Sequence, residues 1–486
     1  MKVEIKLTKK MTLTGVALFA VNAVILLALT FLMLELKENW NAPQYIVNNT
    51  HKVIFTVASV IFLSVLTFGY LFFESRKMLA NVVKQVEMFL MLDLSVMLNF
   101  VFGEYIELSA RPFAFFAIMC ATLIGRREAM FLNIINSLLI FIIDININRV
   151  LSLASSVEMW RYIAALLMAF CSGTLVVFVS HKIKTRLQSI VIVFLLLIPI
   201  ELIVGIMEIL FHDNAMSQLI LFAYGALGAL FSTLLFIVLE PVFELLFSEL
   251  TVFRLREVTS PNSPLIKRLK EEAPGTYNHS VVVSQLAEAC ANAIGEDSEL
   301  ARAAAYYHDM GKLKDPTMFT ENQTDRNVHN ELTPEVSVNI IRSHTTDGAK
   351  LIKKAHLPDF FADVAIQHHG TLPIKYFYAK ALKMSDGEIN MANYSYAGPV
   401  PQSRIAAIIM IVDASEAATR SLSERTPANI EKLVGSIIEE RINLDQFVDC
   451  NITMRDLTII NRTITQALSG VYHSRISYPK LKIGKK

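Results

Sequence analysis

The chain has 486 residues, of which 53% are hydrophobic and 18% are charged, and its formal net charge is +1. Soluble domains are about 45–50% apolar and about 25% charged, so the composition excludes a wholly soluble enzyme and a disordered chain. The four scattered cysteines exclude a disulfide-rich secreted scaffold, and the balanced charge gives no reason to expect a nucleic acid polymer as partner. Apolar residues are concentrated in residues 11–245, whereas residues 250–486 have the composition of a soluble domain.

Residues 11–245 contain runs long enough for membrane-spanning helices, which need about 20 mostly apolar residues. The first run lacks a following cleavage site and is therefore predicted to be an uncleaved helix. Residues 112–125 and 129–145 are each short and flank three charged residues, so they form either two spans or a re-entrant hairpin. The sequence predicts about eight spans with short loops, at residues 11–34, 53–73, 88–103, 112–125, 129–145, 162–180, 188–211 and 217–239.

The distribution of basic residues predicts how this bundle is oriented. With a cytoplasmic N-terminus, twelve Lys and Arg residues fall in inside segments and five in outside segments, which is the positive-inside bias. An even number of spans then places the N-terminus and the C-terminal half in the cytoplasm of a multi-pass protein of the cell membrane. The lipid bilayer is thus a predicted partner, and the loops are too short to form an extracellular domain.

Three acidic residues lie within the predicted spans, namely Asp93, Glu201 and Glu208. Charged groups inside a bilayer are costly and usually face the interior of the bundle. Glu201 and Glu208 are two helical turns apart and share one face. They are predicted to form, with Asp93, an intramembrane ligand or ion site, and the alternative is that they stabilise helix packing.

The predicted organisation is all-α, with a transmembrane bundle at residues 1–245, a linker at 246–262 and a soluble domain at 263–486. Residues 260–264 (SPNSP) form a turn-rich break, and residues 265–272 then predict a short charged helix. Further helical patterns cover residues 281–293, 298–307 and 338–355, and few alternating β-patterns occur in this half.

Histidines cluster in the soluble half, where seven of the eleven fall between residues 279 and 369. The adjacent His308 and Asp309 can reach one metal together, and a carboxylate can bridge two metals. Lys312 follows four residues after His308, where a continuing helix places it over the same site. Imidazole and carboxylate ligands suit Mn, Fe or Zn, and two such ions can clamp a phosphodiester. Other candidate ligands on separate helices are His344, His368, His369 and Asp413.

Other histidines are not assigned to this metal site. His356 is predicted to be a surface or capping residue because it stands beside a Leu-Pro pair, and His329 is left open. The histidines outside the cluster, which include His473, are given no metal.

Eight stretches of the soluble half, in the same order, resemble the HD hydrolase superfamily, and more narrowly the membrane-anchored HD phosphohydrolases called seven-transmembrane HD receptors. They are residues 273–280 (APGTYNHS), 308–312 (HDMGK), 321–323 (ENQ), His344 with Gly348, 368–371 (HHGT), 398–403 (GPVPQS), Asp413 with 416–420 (EAATR), and 472–479 (YHSRISYP). The resemblance covers nearly all of residues 260–480, whereas the bundle is similar only in kind.

The resemblance implies two divalent ions, Mn²⁺ or Fe²⁺, with Asp309 as the bridging ligand. One ion would be held by His279, His308, Asp309 and Asp413, and the other by Asp309, His344 and His368. His369 would complete the second site or face the substrate, and Lys312 would be the cation that faces the substrate. Arg420 would contact a phosphate or have a structural role. The alternative for Pro399 is that it forms a rigid turn without contacting a ligand. The nucleotide-binding wall would consist of Tyr396 and the loop 398–403, with Gly398, Pro399 and Ser403.

The activity implied by this resemblance is hydrolysis of a cyclic dinucleotide by a hydroxide held on the two metals, with cyclic di-AMP to 5′-pApA as the favoured reaction. One alternative is an HD enzyme that acts on another cyclic dinucleotide or on a guanosine polyphosphate. A second is a receptor that binds the nucleotide without cutting it, and a third is a transporter built around Glu201 and Glu208. A homodimer is left open, because no interface can be recognised in the sequence.

The sequence departs from the family pattern at three places. The large extracellular domain usual after the first span is replaced by residues 35–52. Asn278 stands where the family often has a second histidine, and Ile405 stands where an acidic residue is expected. None of these departures removes a predicted metal ligand.

Overall fold

The computed structural model describes residues 7–37, 42–147, 156–211, 215–323, 327–385 and 388–471. The chain divides into two compact units, Met1–Phe253 and Arg254–Lys486, and the division lies within the predicted linker at 246–262. The described elements are helical, and the only β-pairing among them is one isolated bridge between Pro373 and Ser395. The predicted all-α fold is confirmed.

The first unit is a bundle of apolar helices. Seven of its helices are long and apolar enough to cross a membrane, and many of their large apolar side chains face outward, as is expected in lipid. The α-helices of this unit are α1 (Lys9–Lys37), α2 (Ala42–Asn48), α3 (Thr50–Glu74), α4 (Arg76–Ala80), α5 (Val82–Tyr105), α6 (Phe115–Leu123), α7 (Arg126–Ile147), α8 (Ser156–Ser180), α9 (Val191–Phe211) and α10 (Ala215–Phe247).

Within the described residues, seven of the eight predicted spans are helices long enough to cross a membrane. The predicted span at 112–125 is instead a 3₁₀ turn at Leu108–Ala110, a short irregular stretch, and then the nine-residue α6. At 1.5 Å per residue, α6 is about 14 Å long and cannot by itself cross an apolar layer of about 30 Å.

The segment Leu108–Leu123 nevertheless runs from one end of the bundle to the other. Arg111 lies against Gly103 near the end of α5, whereas the Leu123 carbonyl accepts a hydrogen bond from Lys84 at the start of α5, with Nζ–O 2.7 Å. Lys84 also pairs with Glu249 beyond α10. The described chain therefore passes through the bundle eight times, and the start of α5 and the end of α10 lie at the same end.

Irregular backbone at this depth is tolerated only where protein surrounds it, and α10 provides that cover. The Ala114 amide donates a hydrogen bond to the Ser232 hydroxyl, with N–Oγ 3.3 Å. A Cβ on Gly228 would lie 2.6 Å from the Ser109 carbonyl oxygen, so only glycine lets α10 approach this closely.

The second unit is built from shorter helices around a central one. Its elements confirm the helical patterns predicted at 265–272, 281–293, 298–307 and 338–355. Its α-helices, with α11 shared across the division, are α11 (Val252–Val258), α12 (Pro264–Glu272), α13 (Pro274–Ala293), α14 (Ser298–Tyr307), α15 (Pro334–Lys354), α16 (Asp359–Gln367), α17 (Lys375–Met384), α18 (Arg404–Arg420), α19 (Pro427–Asn443) and α20 (Met454–Val471).

The local sequence explains where these helices begin. Proline occupies the first turn of α12, α13, α15 and α19, where its missing N–H costs nothing. The side chains of four residues accept a hydrogen bond from the backbone of the first turn, namely Asp297, Thr333, Ser403 and Thr426. Residues 405–413 of α18 are all buried, so this helix forms the centre of the unit and presents Asp413 from within the core.

Candidate metal centre

The predicted metal ligands converge at one buried point of the second unit. They come from α13, from α18, from the inner part of α15, and from the residues that follow α14 and α16. The side chains brought together are His279, His308, Asp309, His344, His368, His369 and Asp413.

Helix backbone fixes the orientation of three of the imidazoles. His308, His344 and His368 each place Nδ1 against the backbone carbonyl three residues earlier, at 2.6 Å for His308 and 2.9 Å for His368. A carbonyl oxygen only accepts hydrogen bonds, so Nδ1 must be the donor. The Nε2 atoms therefore face the centre, which is the arrangement in which imidazole binds metals.

Asp309 lies between two groups of histidines. Its Oδ1 is 3.3 Å from His344 Nε2 and 3.7 Å from His368 Nε2, whereas its Oδ2 is 3.3 Å from His308 Nε2. The two oxygens of one buried carboxylate thus face separate nitrogen sets, as a bridging ligand would.

Asp413 faces the same centre from α18. Its Oδ1 is 2.9 Å from His279 Nε2 and 3.8 Å from His308 Nε2, and its Oδ2 is 3.8 Å from His369 Nδ1. A second carboxylate therefore lies beside His279 and His308.

The donor set fits a divalent transition metal. Buried His308 Nε2 and Asp309 Oδ1 have no hydrogen-bond partner among the described residues, and such atoms are costly unless something binds them. Imidazole nitrogens mixed with carboxylate oxygens suit Mn, Fe or Zn. Three groups have their ligand atoms within 4.8 Å of one another, namely His344, His368 and His369; His279, His308 and Asp413; and His308, Asp309 and His368.

Glu416, to which the sequence analysis gave no role, supports His279 from outside the cluster. Its Oε2 is 2.6 Å from His279 Nδ1, and its Oε1 accepts a hydrogen bond from Arg420 Nε at 2.7 Å. Of the two roles left open for Arg420, the contact seen is the structural one. The spacing of Glu416, three residues after Asp413 on one helix, is the signal that places both carboxylates on the same face.

Lys312 reaches the centre by a different path from the one predicted. The predicted helix does not continue past His308, because α14 ends at Tyr307 and a 3₁₀ turn occupies Met310–Lys314. Lys312 Nζ lies 2.8 Å from Asp309 Oδ2 and 2.7 Å from Glu321 Oε1. Asp309 and Glu321 therefore hold this ammonium between them.

Gly311 lets the 3₁₀ turn Met310–Lys314 pack directly against the backbone of α15. A Cβ at this position would lie 1.8 Å from the His344 carbonyl oxygen and 2.6 Å from the Gly348 nitrogen. We expect Gly311→Ala to destabilise the chain by about 3 kcal/mol or more through overpacking, measured by thermal unfolding of the full chain in detergent. Gly470→Ala is the control, because no atom of the described residues lies within 4 Å of its new Cβ. Equal melting temperatures for the two variants would contradict this account.

Hydrogen bonds connect the 3₁₀ turn Thr320–Asn322, beside Lys312, to the start of α13. Asn322 Oδ1 accepts hydrogen bonds from the Gly275 and Thr276 amides at 2.9 and 3.2 Å, and the Thr276 hydroxyl donates to Glu321 Oε1 at 3.0 Å. Glu321 therefore has one fixed position from which to hold Lys312.

Opposite charges set the protonation states at the centre. Burial opposes the charge of Asp309, but the nearby Lys312 and His308 outweigh it and hold the carboxyl pKa well below its usual range. Burial likewise lowers the pKa of Lys312, yet Asp309 and Glu321 raise it by more. His308 has its pKa raised to about 10, because Asp309 overcomes the effect of burial. Of the other four imidazoles, burial lowers the pKa of His344, His368 and His369, and that of His369 falls to about 3. Burial also opposes the charge of His279, but Asp413 and Glu416 outweigh it and raise the pKa of that imidazole.

The predicted nucleotide wall lies partly beside this centre. The Tyr396 ring stacks on the His369 ring with 4.3 Å between centroids. Gly398 has a φ of +77°, which favours glycine, and Pro399 next to it is exposed. Ser403 caps α18 by accepting a hydrogen bond from the Ala406 amide at 3.1 Å, so its observed contact is structural.

The three acidic residues of the predicted intramembrane site each have a different described contact, and the site itself stays a prediction. Asp93 accepts hydrogen bonds from Asn22 at 3.0 and 3.1 Å. Glu201 lies against Gly225, within 3.0 Å of where its Cβ would be. Glu208 instead lines a small cavity of about 50 Å³ with Glu107.

The remaining histidines behave as the sequence suggested where they are described. His356 is exposed, and His329 is buried with Nε2 2.8 Å from the Met318 carbonyl oxygen, outside the metal cluster. His473 and the rest of the 472–479 motif lie outside the described residues. Asn278 is exposed while Ile405 is buried, so neither departure alters a ligand of the cluster.

Comparison with known proteins agrees with this geometry. Residues 276–418 match the family model described as HD domain, and this range contains all seven converging side chains. The chain is 44% identical to the cyclic-di-AMP phosphodiesterase PgpH of Listeria monocytogenes and 43% identical to that of Bacillus subtilis, over 58% of its own length in each case. It spans 39% and 40% of the length of these curated relatives.

Solved structures give a shorter match. The crystal structure of the L. monocytogenes phosphodiesterase PgpH HD domain in complex with cyclic-di-AMP is 48% identical, covers 44% of this chain and all of its own, and has a TM-score of 0.42. A second crystal structure of the same L. monocytogenes HD domain is 47% identical, with the same coverage and the same TM-score. The chain thus contains an HD domain and is homologous to the PgpH phosphodiesterases.

Proposed function

We propose that the Arg254–Lys486 unit is a metal-dependent phosphodiesterase that opens a cyclic dinucleotide, with cyclic di-AMP to 5′-pApA as the preferred reaction. The observation that carries the proposal is Asp309, whose two oxygens face two separate sets of histidine nitrogens. A carboxylate in that position can bridge two ions, and Mn²⁺ and Fe²⁺ are the proposed pair because of the nitrogen-rich ligand set. The choice of cyclic di-AMP rests on the similarity to the PgpH enzymes.

The groups at the centre would have separate roles in the reaction. When bound, the two cations would supply Lewis-acid polarisation of the phosphate and a water of lowered pKa. Lys312, held by Asp309 and Glu321, places a fixed positive charge beside the ions, where a phosphate oxygen gains negative charge. The stacked rings of His369 and Tyr396 offer an aromatic wall to the nucleotide, which can stack on such rings.

The first unit is proposed to anchor this enzyme in the cell membrane. Its seven long apolar helices support a membrane location. The eight passages bring the chain back to the end of the bundle at which α5 starts, and the excess of Lys and Arg at the inside segments favours the cytoplasm for that end.

The direct test is hydrolysis by the full-length chain in detergent, with Mn²⁺ and with cyclic di-AMP, cyclic di-GMP and guanosine tetraphosphate as substrates. We expect 5′-pApA as the main product, no reaction in EDTA, and recovery when Mn²⁺ is added back. Tight binding of cyclic di-AMP without product in either Mn²⁺ or Fe²⁺ would instead identify a receptor. Faster hydrolysis of another nucleotide would contradict the substrate assignment alone.

Lys312→Gln separates the proposed role of this ammonium from metal binding. We expect kcat to fall by about 10²- to 10³-fold, as when one donor to a developing oxyanion is removed, while the affinity for Mn²⁺ falls much less. Lys314→Gln is the matched control, because Lys314 is exposed and pairs with Asp347 outside the centre. An unchanged kcat in Lys312→Gln would show that Lys312 does not act on the substrate.

A further inference from the structure

A polar cavity lies at the end of the bundle where α1 and α5 finish. Its volume is about 290 Å³, near the lower limit of about 300–1,000 Å³ that is usual for small-molecule sites. It belongs to the first unit and contains none of the metal ligands. Its charged and polar lining consists of Lys37, Glu104, Glu107, Arg111, Arg161 and Tyr162.

Arg111 forms a fixed part of the cavity wall. Its guanidinium makes two hydrogen bonds to Asp144, at 2.6 and 2.9 Å, and the residue is only 3% exposed. Its Nε is buried and has no hydrogen-bond partner among the described residues. A Cβ on Gly103, which also lines the cavity, would lie 2.1 Å from that Nε. The Arg111 guanidinium therefore packs directly on Gly103, in the space that a side chain at that position would fill.

Two further ion pairs line the cavity, and both are accessible to water. Lys37 Nζ lies 2.7 Å from Glu104, and Arg161 lies 2.5 Å from Glu107, with side-chain exposures between 23% and 44%. Exposed pairs of this kind contribute only about 0–1 kcal/mol. A ligand that offers the same two charges can therefore replace them at little cost.

We infer that this cavity binds a small zwitterion that carries one ammonium and one acidic group. Among the described residues, the three cations of the lining are balanced by Glu104, Glu107 and Asp144, the partner of Arg111. A net anion or cation would therefore add an uncompensated charge to a partly buried site. In a zwitterion, the ammonium pairs with Glu104 or Glu107, and the acidic group pairs with the Lys37 or Arg161 that this exchange releases. A free amino acid and the headgroup of phosphatidylethanolamine share this chemistry.

Tryptophan fluorescence can report binding at this cavity. The chain has two tryptophans, so a Trp40→Phe background leaves only Trp160, next to Arg161. In phosphatidylglycerol nanodiscs, we expect glycine to give a saturable change in fluorescence. Acetate and methylammonium, which carry its two charges separately, should bind at least tenfold more weakly. Equal binding of either half-ligand would overturn the inference.

Two variants and one lipid exchange complete the test. Arg161→Gln and Glu107→Gln each remove one charge from an exposed pair and should weaken glycine binding about tenfold or more. Arg127→Gln, which removes the more exposed pair with Glu74 at the start of α7, should leave it unchanged. A fluorescence change that appears on adding phosphatidylethanolamine, and that Glu107→Gln abolishes, would assign the headgroup as the source. No response to glycine or to that lipid, or the same response in all three variants, would refute the site.

Discussion

Asp309→Asn is expected to lower the rate of hydrolysis at least about a thousandfold. The change keeps the size of the side chain but removes the charge from the group that faces both histidine sets. Bound cations provide several kcal/mol of transition-state stabilisation, and each 1.36 kcal/mol corresponds to a factor of about ten in rate. Rates are measured by 5′-pApA formation, and metal content by elemental analysis of the purified protein.

Stability must be separated from chemistry in this variant. Lys312 is buried against Asp309 and Glu321, so removal of one carboxylate leaves an ammonium only partly compensated, which destabilises proteins by about 3–5 kcal/mol in buried pairs. The double variant Asp309→Asn with Lys312→Met removes that charge as well, and we expect it to recover stability but not activity. Asp347→Asn, on the outer part of α15 beside Lys314, is the control for an aspartate outside the centre. Activity in the double variant would show that Asp309 is dispensable.

The regular helices of the second unit were predictable because each has a strong local signal. The pattern at 298–307 coincides with α14, and the break at residues 260–264 precedes α12. Local periodicity can indicate a helix without knowledge of its neighbours. The convergence of the candidate ligands could be predicted because their residue types are rare in combination, and their order along the chain resembles that of a family.

The path of Lys312 and the span at 112–125 could not be predicted from local pattern. In the first case, Gly311 packs directly on the backbone of α15, a contact more than thirty residues away in sequence. In the second, the apolar composition indicated a span or part of a re-entrant hairpin, but the short helix depends on Ser232 and Gly228 of α10. Tertiary contacts override propensity in both places, and composition alone does not reveal them.

Glu416 and Glu321 were missed for a related reason. Each is a charged residue that touches a ligand or a substrate-facing cation rather than the centre itself. A search for ligands passes over such residues, because their role exists only in the folded contact. Their burial beside histidine and lysine shows that the orientation of the ligands is built by a surrounding layer of carboxylates.

Glu416→Gln tests whether that outer layer matters for metal binding, and we expect the affinity for Mn²⁺ to fall about 10- to 100-fold. Glu416 accepts from both His279 Nδ1 and Arg420, whereas an amide has only one oxygen to offer. If that oxygen stays with Arg420, the amide N–H₂ faces Nδ1 and favours the tautomer that carries its proton on Nε2. Such an imidazole cannot bind a metal through Nε2.

Arg420→Gln provides the matched comparison, because it removes the other partner of Glu416 and leaves the carboxylate intact. The Arg420 side chain is 43% exposed, and exposed pairs contribute about 0–1 kcal/mol, so we expect at most about a fivefold loss of Mn²⁺ affinity by calorimetric titration. A loss in Arg420→Gln as large as in Glu416→Gln would mean that the arginine orients the whole set. Wild-type affinity in Glu416→Gln would mean that α13 alone orients His279, and the carboxylate would then serve the packing of α18 rather than the metal.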